Sequence, residues 1–215
     1  MPTTLPRATI RTQVTIPLRL ADGYATTARA FTFDGLVDGR EHVALGLGDR
    51  VGARVPHPDA PPPLVRLHSE CLTGDVFGSQ RCDCGPQMRE AVERVAEAGG
   101  FLLYLRQEGR GIGLYAKIDA YALQDGGLDT YEANLALGYP EDLRDYTVAA
   151  QMLHTLGESR VRLLSNNPDK LARLGVSVRH QVPTGVHLTA ANASYLQAKV
   201  DHTRHTLDLV GTSAA

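Results

Sequence analysis

The sequence predicts an α/β fold (α+β mixed): a β-rich N-terminal segment followed by an α/β core, together one compact domain. Three observations carry this expectation. Residues 10–50 hold short runs rich in β-branched and aromatic residues, separated by Asp-Gly and Gly punctuation. From 64 to 180, short apolar runs suited to buried strands alternate with stretches of helical period. The length of 215 residues suits one large domain with ample chain to bury a core.

The elements follow in order. Segments 12–18 (TQVTIPL), 27–33 (TARAFTF) and 41–47 (EHVALGL) read as strands. Residues 56–63 (PHPDAPPP) form a loop, because proline fixes φ and lacks a ladder donor. Residues 63–68 (PLVRLH) resume as a strand. In 86–98 (PQMREAVERVAEA), Met88, Val92 and Val95 fall on one helical face, and Gly99-Gly100 is the stop. Residues 101–105 (FLLYL) are a buried strand. Helices are expected at 112–123 and 147–156, the second ended by Gly157, then a strand at 161–164 and a short helix at 169–174 before Gly175. The last thirty residues carry a weaker helical signal. Residues 1–63 are thus the β-rich part of the domain, 64–180 its α/β core and 181–215 a C-terminal segment.

Composition narrows the function. With 22 Lys and Arg against 24 Asp and Glu, the net charge of −2 argues against a general nucleic-acid or membrane-surface binder, while leaving room for a local basic pocket. No apolar run reaches the ~18 residues of a transmembrane helix. The first residues lack the apolar stretch of a secretory signal. The cytoplasm is the expected compartment. The cysteines, Cys71, Cys82 and Cys84, are odd in number and clustered, unlike a secreted disulfide framework. Metal or redox chemistry is the implication.

Four segments carry chemistry. The first runs from Cys71 through a Gly/Asp-rich stretch to Cys82-Asp83-Cys84-Gly85. Thiolates are preferred zinc ligands, and a structural site usually has four protein ligands. Three leave a fourth position open to water, the arrangement of a hydrolytic site, unless His68 takes it. Buried cysteines without a metal are the alternative. The second segment, Arg106-Gln107-Glu108-Gly109-Arg110-Gly111-Ile112-Gly113-Leu114, follows a strand and opens a helix. Glycines let backbone approach a ligand, helix-start N–H groups attract anions, and arginines fork phosphates. Glu108 is then an arginine partner, a base-edge acceptor or a magnesium ligand. A plain strand-to-helix turn is the alternative. The third segment, 140–146 (PEDLRDY), sets three carboxylates around Arg144 and reads either as a site or as a solvated loop. The fourth, 163–170 (LLSNNPDK), ends a strand in a hydroxyl and two amides, at the strand end where α/β proteins bind ligands. A simple Asn167 N-cap is the alternative. His42, His57, His154, His180, His187, His202 and His205 show no metal-ligand spacing and read as surface or hydrogen-bonded residues.

Taken together, HSECLTGDVFGS, RCDCG, RQEGRGIGL, AYALQD, DTYEAN, DLRDY and SNNP occur in the order found in GTP cyclohydrolase II, over roughly residues 64–175. EHVAL at 41–45 is similar too. The chain resembles that family, whose members open the guanine ring of GTP at the head of riboflavin synthesis. The resemblance implies that Cys71, Cys82 and Cys84 hold one catalytic zinc ion. It implies that Arg66, Leu67, His68, Ser69, Glu70, Gln87, Glu108, Gly109, Arg110, Thr130, Ser165 and Lys170 line the nucleotide site. Asp142 matches a proton acceptor, Arg144 a nucleophile towards the α-phosphate, and Tyr121 an active-site tyrosine near the guanine. A guanidinium pKa above ~12 makes a nucleophilic arginine chemically hard, and charge stabilisation by Arg144 is the other reading. Glu70, Gln87 and Glu108 are expected to face the guanine edge. Magnesium accompanies the triphosphate, and a homodimer in the cytoplasm is implied, with neither nucleic acid nor membrane as partner. Two departures stand out: Ser165 where threonine is common, and the stretch TGVHLTAA in a diverged tail whose Val182-Pro183, Asn192, Tyr195-Leu196, Lys199 and His205 still resemble the family's ending. They keep two alternatives open. One is a paralogue that feeds a secondary-metabolite pathway or stops at the formamide; the other is a non-catalytic guanine-nucleotide sensor.

Overall fold

In the computed structural model, residues 5–52, 61–168, 170 and 174–203 are described. Seven strands among them join one sheet in the order β1-β2-β3-β5-β4-β6-β7. β1 (Thr9–Arg19) and β2 (Ala25–Asp34) form a long antiparallel hairpin, extended by β3 (Val43–Leu47). β3 pairs antiparallel with β5 (Gly100–Leu105). From there the sheet turns parallel through β4 (Leu64–Ser69), β6 (Arg160–Leu164) and β7 (Ser177–Val182). The mixed α/β class and single domain are as expected, and the N-terminal strands extend the core's own sheet.

Burial follows strand position. β1 lies at the edge and is exposed along its length apart from half-buried Ile16 and Leu18, which is where a strand tolerates a residue like Pro17. β4 and β5 are central, and nearly every residue in them is buried, as parallel strands covered on both faces require. Their side chains alternate between two cores. Val65, Leu67, Leu103 and Leu105 pack with Val148, Met152 and Leu153. Leu64, Leu102 and Leu164 pack with Ala91, Val92 and Val95.

Six helices complete the described residues. They are α1 (Leu72–Asp75), α2 (Cys84–Ala98), α3 (Leu114–Asp125), α4 (Thr130–Ala136), α5 (Thr147–Thr155) and α6 (Ala193–Thr203). α2 buries the foreseen valine face and ends at Gly99, whose φ of 71° suits glycine. It begins two residues before the expected start, so Cys84 lies in its first turn. α3 starts at Leu114 and not at Ile112. Gly109, Arg110, Gly111 and Gly113 all hold positive φ (61°, 59°, 97° and 93°), which no α-helix includes. α4 was not anticipated, although Asp129 and Glu132 form a capping box at its start. Residues 61–63 have no regular structure, in keeping with the expected loop, whose residues 56–60 lie outside those described. Most of the expected 169–174 helix, together with His57 and His205, also lies outside them. No helix among the described residues is long and apolar enough to cross a membrane.

Candidate active site

The segments that follow β4, β5 and β6 meet at the carboxyl ends of those strands, where open α/β sheets place their ligand crevices. Residues Cys71, Glu108–Arg110 and Ser165 enter one cleft of about 1200 Å³, measured out to its mouth. Every site residue anticipated from sequence lines it, Asp142 excepted.

The three sulfurs gather as their spacing suggested. All three Sγ atoms lie within 4.8 Å of one another. Cys71 Sγ is 3.6 Å from Cys82 Sγ. Cys71 and Cys82 are buried, and Cys84 is half-buried. Gly74 of α1 makes the space. A Cβ there would stand 2.8 Å from Cys82 Sγ and 3.1 Å from Cys71 Sγ, too close for any side chain. Hydrogen bonds from Cys82 and Cys84, and Lys117 beside it, hold the Cys71 thiol well below its ordinary pKa despite burial. The same bond to Cys71 pushes the Cys82 thiol up to about 11. His68 does not join the group. Its Nε2 lies 3.0 Å from Asp75 Oδ1, and its ring stacks on Tyr104. Asp75 also accepts from the Tyr104 hydroxyl and from the Cys71 N–H, so this buried network sets the backbone of the first cysteine.

Among the described residues Glu108 pairs with a lysine and not with an arginine. Its Oε1 lies 2.7 Å from Lys117 Nζ and accepts from the Gly109 N–H, while Oε2 accepts from the Leu72 N–H at 2.7 Å. Lys117 in turn lies 3.1 Å from Cys71 Sγ. Gln87 is likewise engaged, accepting from Arg66 Nη2 at 2.6 Å and donating to Asp83 Oδ2. Glu70 accepts from Arg106 Nε at 2.8 Å. The three side chains expected to face a guanine edge therefore all hold protein partners as well.

Cations line the other wall. Arg144 is forked onto Asp142, which stands behind it. Burial works against the Arg144 charge, but Tyr146 and Asp142 outweigh it and raise its pKa. The Asp142 carboxyl is held low by Arg144 although burial opposes this. Lys170 donates to the carbonyl of Leu67 at 2.8 Å, so Leu67 serves the site through its backbone. Burial, then repulsion from Arg66, Arg144 and Lys199, draws the Lys170 ammonium well below its usual range. Arg110 sits in the left-handed region at φ 59°, a conformation that costs a non-glycine residue of order 1 kcal/mol. Its guanidinium lies 3.8 Å over the Tyr131 ring, and its Nη1 is buried without a partner. Ser165 Oγ accepts from the Asn167 N–H, and Thr130 opens α4 at the rim. The Tyr121 hydroxyl is 3.1 Å from Thr73 Oγ1, and burial raises its pKa.

Lys117 reaches the cleft without a sequence signal. Lys117 is 46 positions from Cys71, and nothing in its own stretch marks it as a thiol partner. Gln107, Tyr195 and Lys199 also reach the cleft.

A mixed sheet with a thiol cluster and a cationic wall in one strand-end crevice defines an α/β enzyme built for an anionic substrate. Comparison with known proteins is more specific. Residues 12–183 match the family GTP cyclohydrolase II. The GTP cyclohydrolase-2 proteins of Vibrio parahaemolyticus and Vibrio vulnificus are 52% and 53% identical over 183 and 184 residues, 84% of this chain and 89% of each relative. The riboflavin biosynthesis protein RibBA of Bacillus subtilis is 51% identical over 185 residues, which are 84% of this chain and 45% of that longer protein. The chain belongs to the GTP cyclohydrolase II family.

Proposed function

We propose that this protein is a zinc-dependent GTP cyclohydrolase II that opens the imidazole ring of GTP and releases formate and pyrophosphate, the first step of riboflavin biosynthesis. The observation that carries the reading is the meeting of three clustered thiols and four buried or half-buried cations in one cleft. GTP needs both: water activation at its base and charge neutralisation along its phosphates.

The thiols fit zinc. They are soft donors held together, with a glycine cleared beside them and Lys117 favouring the ionised form of Cys71. Cys71, Cys82 and Cys84 would hold the ion. Bound there, zinc supplies Lewis acidity that brings the pKa of water towards ~7. The remaining roles belong to the chain. Glu108 and Lys117 brace Cys71 and the Leu72 backbone. Tyr121, kept protonated by burial, offers a hydroxyl beside the thiols. Arg144, Lys170, Arg110 and Arg66 meet the phosphates, with magnesium carried by the triphosphate. Arg144 acts by stabilising charge and not as a nucleophile, because Asp142 holds it in its protonated form. The protein acts in the cytoplasm as a homodimer.

Incubation of the zinc-loaded protein with GTP and magnesium, with formate, pyrophosphate and the pyrimidine product followed by mass spectrometry, tests the reading. Unchanged GTP, or a product that retains the formyl carbon, would overturn it.

A further inference from the structure

The family match ends at residue 183, yet the cleft does not. Thr184, Tyr195 and Lys199 come from beyond that point and line it. The segment is firmly seated. One carboxylate, Glu90 of α2, accepts from Gly185 N at 2.9 Å and Thr184 Oγ1 at 2.8 Å and pairs with His187 at 2.9 Å. From there the chain leads into α6, whose Lys199 reaches back across the site.

Lys199 Nζ lies 2.7 Å from Asp83 Oδ1, and its side chain is 13% exposed against 1% for Asp83. Asp83 sits between two of the clustered cysteines, and through Gln87 it is linked to Arg66. The Asp83 bond therefore fixes the ammonium on the cleft wall, among Arg66, Arg144 and Lys170. All three of Arg66, Arg144 and Lys199 bear electrostatically on Lys170. Asp83 and Asp142 are spoken for by Lys199 and Arg144. Arg66, Arg144, Lys170 and Lys199 line this part of the cleft together, and a polyanion is the ligand that suits such a cluster of bases.

We propose that Lys199 of α6 is a further substrate-binding residue that contacts the phosphate chain of the nucleotide, so that the segment after residue 183 completes the site. This inference rests on the GTP reading above, but its test does not need turnover. Calorimetric binding of inorganic tripolyphosphate and of guanosine is compared for the wild-type full-length protein, Lys199→Gln and Lys199→Arg. Glutamine keeps an N–H donor for Asp83 and removes the charge. Lys199→Gln is expected to weaken tripolyphosphate about tenfold, the size of one lost charge-assisted hydrogen bond, and to leave guanosine unchanged. Lys199→Arg is expected to restore most of the loss. Thermal melting and zinc content serve as controls for folding, and Lys199→Met carries the same expectation if the glutamine variant unfolds. Tripolyphosphate bound equally by wild type and Lys199→Gln overturns the inference. A parallel loss of guanosine does so too, because α6 would then only shape the wall. A wild-type protein that binds tripolyphosphate through Lys199 but leaves GTP intact would reject the GTP reading alone.

Discussion

Arg144 and Asp142, two residues apart, close on each other through both backbone and side chain. Arg144 Nε donates to the two Asp142 oxygens at 2.9 and 3.1 Å, and the Arg144 backbone N–H donates to Oδ1 at 2.9 Å. The local loop is thereby folded into a clamp that aims one guanidinium into the cleft. Asp142→Asn keeps the size of the side chain and removes its charge. It is expected to lower kcat by ~10²-fold or more, as for loss of an oriented electrostatic group, with less effect on KM. Steady-state kinetics with GTP check this. Wild-type kcat in Asp142→Asn would reject the clamp.

Gly74 governs the thiol cluster by what it lacks. Gly74→Ala places a Cβ 2.8 Å from Cys82 Sγ, so that either the sulfur or α1 has to shift to admit it. Zinc content by elemental analysis is expected to fall below one ion per chain. Formate release should fall at least in proportion. Removing the metal from wild-type protein with a chelator should have the same effect, reversed by added zinc. Retention of a full zinc ion by Gly74→Ala would show that the cluster can rearrange.

Glu90 links pH to the C-terminal segment. Burial alone would raise its pKa. The hydrogen bonds from His187, Gly185, Arg94 and Thr184 overcome this and hold it well below the usual carboxylate range. A depressed carboxyl stabilises the fold above its unfolded pKa of ~4.3, and that contribution is lost as pH falls towards the folded value. Glu90→Gln should therefore cost about 2 kcal/mol near neutrality and progressively less in acid. Hydrogen exchange should quicken at 184–192 before the sheet. Identical pH–stability curves for wild type and Glu90→Gln would refute the linkage.

How much of this was legible in sequence follows from the range of each interaction. Six of the seven strands and the buried face of α2 are local patterns, and they stand where periodicity put them; β7 was not anticipated. The cysteine cluster was legible because all three thiols fall within fourteen residues. The start of α3 was not. Four positive-φ residues delay it, and propensity does not register backbone that a site holds in place. Lys117 against Cys71 and Lys199 against Asp83 join residues 46 and 116 apart, and each depends on where the sheet delivers its loops. Glu70, Gln87 and Glu108, expected to face the guanine edge, also have protein partners. Each is already held by a neighbour that sequence cannot show.

The arrangement also separates the reaction into two parts. Cys71, braced by Lys117 and Glu108, belongs to the α1–α3 side of the cleft. Arg144 belongs to the loop before α5, is held by Asp142, and shares no hydrogen bond with the thiol group among the described residues. On the function proposed above, ring opening belongs to the thiol end, where the zinc would be held, and pyrophosphate release to the cations at the α-phosphate. Cys84→Ser should therefore lose zinc and abolish formate, while retaining some conversion of GTP to GMP and pyrophosphate. Arg144→Ala should keep its zinc and lose pyrophosphate release by ~10²-fold or more, the usual cost of removing one group that stabilises transition-state charge. Formate in Arg144→Ala then distinguishes two orders of events. If phosphate chemistry must come first, formate falls with pyrophosphate; if ring opening is independent, formate persists. The assay measures both products separately in each variant, with folding checked by circular dichroism and zinc by elemental analysis. A folded Cys84→Ser protein that binds GTP but releases neither product would mean that the thiol end also controls the phosphate end. The division of the cleft into two working halves would then be wrong.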